Sequence, residues 1–111
     1  MRVKSKKIMF IFCSLFINHA AAEGKEIPEQ RISELNNLLI QDCGSCHGMT
    51  MKGGLGPALT PEVLNVKPRK LIEAAITYGR AGTPMPPWNK ILTKQEINWM
   101  VDTLYKGTSN E

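Results

Sequence analysis

Cys43-Gly44-Ser45-Cys46-His47 places two cysteines three positions apart, with a histidine directly after the second. This is the C-x-x-C-H pattern that attaches a c-type haem. Two thiols at that spacing, at the end of a helix, can each add to one vinyl group of the same porphyrin. The residue that follows then reaches the iron from the proximal side. Gly44 and Ser45 are small, so the backbone between the thiols can lie close against the ring. Other uses of the pattern fit less well. A thioredoxin-like dithiol belongs beside a βαβ unit, and no strand pattern is evident. A structural zinc site needs four soft ligands, and Cys43, Cys46 and His47 make three. A disulfide between Cys43 and Cys46 would close too small a loop to stabilise much.

Upstream of the motif, the first part of the 111-residue chain reads as a targeting segment. Arg2, Lys4, Lys6 and Lys7 precede an apolar run from Ile8 to Ile17, broken by Cys13 and Ser14, and Ala20-Ala21-Ala22 follows. A basic start, a short apolar stretch and small residues predict a secretory signal peptide over 1–22, cut between Ala22 and Glu23. The run is too short for a stable membrane span, and Cys13 lacks the small neighbours of a lipoprotein site. The predicted mature domain, 23–111, holds 10 basic and 10 acidic residues, so the net charge of +4 belongs to the leader. Nucleic-acid binding loses its electrostatic support. Cys43, Cys46 and His47 are then the only cysteines and histidine left.

Downstream and around the motif the signals are helical. Pro28 starts a periodic run through Ile32, Leu35, Leu38 and Leu39 that is expected to end at Asp42. Pro68 opens a second helix carrying Leu71, Ile72, Ala75 and Ile76, closed by Gly79. Thr93 and Glu96 form a T-x-x-E capping box before Ile97, Met100, Val101, Leu104 and Tyr105, and Gly107 is the stop. Thr60-Pro61-Glu62 starts one more turn through Leu64. The remainder is glycine- and proline-rich loop. The expected class is all-α, three to four short helices that bury little alone. A haem, wrapped by those helices, would supply the missing core.

The sixth iron ligand is sought among Met49, Met51, Met85 and Met100. Met49 and Met51 follow His47 too closely to reach the other haem face, and Met100 falls in the apolar row of the last helix. Met85 lies in Thr83-Pro84-Met85-Pro86-Pro87-Trp88, where prolines can present a thioether at fixed distance. Histidine and methionine together raise a haem's potential and suit electron transfer. A ligating histidine also needs a partner for its other ring nitrogen, and the Gly56-Pro57 step is placed to offer a carbonyl. Arg80 and Trp88 are candidates for contacts to haem propionates, with solvation and packing as their other readings. Trp99 lies off the apolar stripe and reads as packing.

C-G-S-C-H-G, G-G-L-G-P-A-L, T-P-M-P-P-W and the L-T-x-x-E-I helix follow one another in the order and at the separations of class I c-type cytochromes, which the sequence resembles over nearly all of 23–111. Within that class it looks most like the small NirC-type cytochromes associated with the haem c/haem d1 nitrite reductase. The resemblance implies a class I cytochrome c fold around one covalent haem c, His47 and Met85 as axial ligands, and the Pro57 carbonyl as the partner of His47. It also implies a periplasmic electron carrier, not an enzyme, that donates to the nitrite reductase and is reduced by a quinol-linked cytochrome. A part in haem d1 assembly is the alternative it leaves, and gas binding at an open sixth position is another. Charge adds a further expectation. Residues 43–94 carry seven basic and two acidic groups, whereas 23–42 carry two and five and 95–111 one and three. A basic face around the haem edge would steer an acidic partner.

Overall fold

In a computed structural model, which describes residues 24–108, Pro28 stands in extended backbone and its carbonyl accepts from the Ile32 N–H at 2.9 Å. Helix α1 (Glu29–Leu38) follows and continues through a π-helical turn, Leu39–Cys43, into α2 (Gly44–His47). The signal peptide expected over 1–22 lies outside the described residues. A long loop leads to α3 (Pro61–Leu64), then α4 (Arg69–Tyr78) and α5 (Lys94–Lys106). Taking α1, the π turn and α2 as one rod, four helical segments make the fold, with no strand among the described residues. The all-α expectation holds.

The punctuation read from the sequence acts as expected. Thr93 Oγ1 accepts from the Glu96 N–H at 3.2 Å, while the Thr93 N–H donates to Glu96 Oε2 at 2.7 Å, completing the capping box of α5. Gly79 and Gly107 end α4 and α5. One boundary differs. The first helix does not end at Asp42 but runs on to His47, because the π turn absorbs one extra residue without breaking the rod.

The core gathers around α5, whose Ile97, Met100, Val101 and Leu104 are each at most 2% exposed. This helix packs on α3 and α4, which bring Leu64 and Ile76. Leu35 and Leu39 enter from the first rod. Met100 is therefore core, as its helical position implied. Met51 is the unexpected member. It is fully buried at φ 57°, a backbone region that costs a non-glycine residue energy and is held here by burial. Polar ties close the periphery: Arg31 Nε donates to Glu96 Oε1 at 2.6 Å, Tyr105 Oη donates to the Lys67 carbonyl at 3.0 Å, and Arg69 pairs with Asp102. Among the described residues no helix is long and apolar enough to cross a membrane.

Candidate haem site

The π turn decides where the motif points. In an unbroken α-helix each residue advances about 100°, so positions four apart drift by about 40° per step. Leu35, Leu39, Cys43 and His47 are spaced in this way, and His47 would end about 120° away from Leu35. One extra residue in a turn takes back about 100°. Cys43 and His47 thus return to within about 20° of the stripe that Leu35 begins. The rod buries leucines at one end and presents thiols and an imidazole at the other.

Beyond His47 the glycine-rich loop folds back over the end of α2. The Gly56 N–H donates to the Cys46 carbonyl and the Gly53 N–H to the His47 carbonyl, both at 2.7 Å, so carbonyls freed at the helix end are satisfied. The same fold brings the Pro57 carbonyl to 2.7 Å from His47 Nδ1. A carbonyl only accepts, so Nδ1 carries the proton and Nε2 keeps a free lone pair. Gly56 lies directly against the ring. A Cβ at that position would fall 2.7 Å from His47 Cε1 and 2.8 Å from Nδ1.

Cys43, Cys46, His47, Met85, Arg80 and Trp88 all line one cavity of about 430 Å³. Its remaining wall is largely apolar, with Leu59, Leu64, Ile72, Ile76 and Leu104 among its residues. The volume lies within the range of small-molecule sites. Met85 is half-buried and packs against the core, on a loop that folds back on the end of α4. Gly79 permits that return, because at φ 69° its missing Cβ would otherwise meet the Met85 carbonyl oxygen at 2.6 Å. Arg80 is exposed at the cavity wall. Trp88 is half-buried, its backbone N–H donating to the Ile76 carbonyl at 3.0 Å. Trp99 lines none of this cavity.

The donor set suits a haem and argues against the other readings. Burial, with Asp42 adding to it, pushes the Cys43 thiol up to about 11, so it is protonated at neutral pH. Reactive dithiols depend on the opposite shift. Among the described residues no three His, Cys, Asp or Glu side chains gather to hold a metal ion directly. Two thiols on one wall, an imidazole with its Nε2 lone pair free, a thioether from a separate loop and an apolar interior are what a covalently held porphyrin needs.

Residues 30–102 match the family described as cytochrome c oxidase, cbb3-type, subunit III. The chain belongs to this family of c-type cytochromes. Cytochrome c55X from Pseudomonas aeruginosa is 53% identical over 78 residues, which cover 70% of this chain and 66% of that relative. The match thus spans about two thirds of the relative's length. A solved structure of a c-type cytochrome NirC superposes with a TM-score of 0.70 at 50% identity, covering 72% of this chain and 94% of that one. A nitrite reductase from Stutzerimonas stutzeri is 32% identical over 100 residues, which cover 78% of this chain but only 17% of the enzyme. Covalent haem is the family's cofactor, and this cytochrome carries the cysteine pair that such attachment requires.

Sequence reasoning named the thiols, the histidine, the Pro57 carbonyl and Met85, and the structure brings all of them to one place. It did not foresee the π turn, the contact of Gly56 with the imidazole, or the burial of Met51. The nearest signal was the glycine before Pro57, which is small enough to approach a ring.

Proposed function

We propose that this cytochrome is a periplasmic one-electron carrier, with one haem c joined to Cys43 and Cys46 and its iron held between His47 and Met85. Residues 1–22 would direct export and 23–111 form the working domain. When bound, the haem supplies the Fe(II)/Fe(III) couple. The observation that carries the reading is the convergence of both thiols, the tautomer-fixed His47 and Met85 on one apolar cavity. The Pro57 carbonyl orients His47 and raises the basicity of Nε2. Met85 would supply a soft thioether ligand from the proline-rich loop on the far side of the cavity. Arg80 and Trp88, both on the cavity wall, are the residues that would meet the propionates. Among the described residues the cavity holds no second histidine, and Asp42 is its one carboxylate, so acid–base chemistry finds little support.

The likeness to NirC, to cytochrome c55X and to a segment of a nitrite reductase supports that reductase as the acceptor, with a quinol-linked cytochrome as donor. Lys67 and Arg80 at the cavity, beside exposed Leu55 and Leu71, make a docking rim that combines charge with apolar surface.

The test is the reduced spectrum of the holoprotein under carbon monoxide. The wild type should take up the gas only slowly, and Met85→Ala should bind it at once. Met100→Ala should instead lower stability by about 2–5 kcal/mol and leave the iron closed. Ready binding by the wild type would overturn the closed-site reading.

A further inference from the structure

The two sides of the cavity are anchored unequally. On the histidine side, two backbone hydrogen bonds of 2.7 Å clamp the glycine loop to the end of α2, and a third bond of 2.7 Å holds the ring. The methionine side has fewer means. Pro84, Pro86 and Pro87 have no N–H, so across 84–87 Met85 carries the one backbone donor. That N–H donates to Thr83 Oγ1 at 3.3 Å. The same hydroxyl donates to the Arg80 carbonyl at 2.7 Å, the shortest bond in the loop. The Thr83 N–H also reaches the Arg80 carbonyl at 3.1 Å, and the Arg80 N–H reaches the Met85 carbonyl at 3.2 Å. A hydroxyl has one donor and two lone pairs, so a single side chain can serve both ends of this turn. Thr83 is exposed and has no part in the core. Both hydrogen bonds of its hydroxyl are spent on the loop that carries Met85.

We propose that Thr83 is a positioning residue for Met85: its hydroxyl clasps the Arg80–Met85 turn and sets how readily the thioether leaves the iron. The inference rests on Met85 being the sixth ligand. Without the hydroxyl, the Met85 N–H loses its partner and the turn keeps only its two longer backbone bonds. The loop then opens more often, and a competing ligand enters during the opening.

The experiment uses holoprotein carrying Thr83→Val or Thr83→Ser, with haem content and thermal melts recorded for each. Two quantities are read: the rate at which the ferrous form takes up carbon monoxide, and the pH at which the ferric form loses its sulfur-to-iron charge-transfer band. Thr83→Val should take up the gas about tenfold faster and lose the band at lower pH. Thr83→Ser, which keeps the hydroxyl, should behave as wild type. A Thr83→Val protein that matches wild type overturns the proposal, as does Thr83→Ser behaving like Thr83→Val. Should Thr83→Val fold poorly, Thr83→Ala is read by the same criteria. A wild-type protein with no sulfur band and immediate gas uptake overturns the ligand assignment itself, and the clasp with it.

Discussion

His47 is restrained in two independent ways. Its Nδ1 hydrogen bond to the Pro57 carbonyl fixes the orientation of the ring, and Gly56 packs so close to Cε1 and Nδ1 that no Cβ fits between. Substituting Gly56 by Ala would place a methyl group 2.7 Å from Cε1, closer than real contacts allow. The ring or the loop must yield. Gly56→Ala should cost about 1–3 kcal/mol in denaturant unfolding of the holoprotein and change the ferric axial spectrum. An unchanged melt and spectrum would show that the loop yields freely. The Gly56-Pro57 step was legible in the sequence as a source of an acceptor, and the resemblance to class I c-type cytochromes pointed to the Pro57 carbonyl. The close approach was not, because it depends on how the loop from Gly48 folds back over α2. Met51 was illegible for a related reason. No residue pattern announces that a methionine will take a left-handed backbone angle to fill a core.

At the scale of elements, the sequence announces its ends more clearly than its interiors. The Thr93–Glu96 box, Gly79 and Gly107 are side-chain or backbone devices with local causes, and each falls where expected. The π turn over Leu39–Cys43 has no such residue signature, since Leu39-Ile40-Gln41-Asp42-Cys43 contains no glycine, proline or capping pair to mark it. Its effect on phase is nonetheless testable. Inserting one residue after Gln41 should rotate the motif by about 100° relative to Leu35 and Leu39. Mass spectrometry should then show haem missing or held by one thioether. A fully attached haem would mean that the motif finds the cavity whatever its phase. Glu96 links two elements, capping α5 and receiving Arg31 from α1. The Arg31 hydrogen bond and the Thr93 N–H hold its carboxyl below the ordinary 4.5, against the opposing effect of burial. The unfolded chain therefore binds the proton more tightly, and stability rises with pH across that window. The contribution is complete above about pH 4.5 and is lost as pH falls through the folded value. Glu96→Gln should cost about 1 kcal/mol at neutral pH and flatten the acid limb of a melting-temperature profile. An acid limb identical to wild type would assign it to other carboxylates.

Across the whole molecule, charge is sorted by location. The basic excess falls in residues 43–94, which include most of the cavity wall, and both flanking segments are acidic. Glu26 and Asp102 border a separate depression, lined also by Trp99, that shares no residue with the cavity. Arg69 is paired with Asp102 and so is partly neutralised, whereas Lys67 and Arg80 line the cavity and are exposed. Exposed Lys67 and Arg80 on the cavity wall would turn that wall toward an acidic partner before contact is made. That torque acts over the Debye length, which shrinks from about 30 Å at 0.01 M salt to about 8 Å at 0.15 M. The bimolecular rate of electron transfer to the proposed acceptor, a nitrite reductase, followed by stopped flow, should therefore fall steeply over that range. Reversing both rim charges, Lys67→Glu with Arg80→Glu, should slow the low-salt rate by about tenfold or more and flatten the salt dependence. Lys25→Glu removes the same kind of charge from a residue outside the cavity wall, and should leave the slope nearly intact. A rim effect only about twice the control's, in proportion to the charge changed, would mean that net charge governs the encounter, with no oriented face. A rate that ignores salt altogether would leave the exposed Leu55 and Leu71 as the contacts that choose the partner.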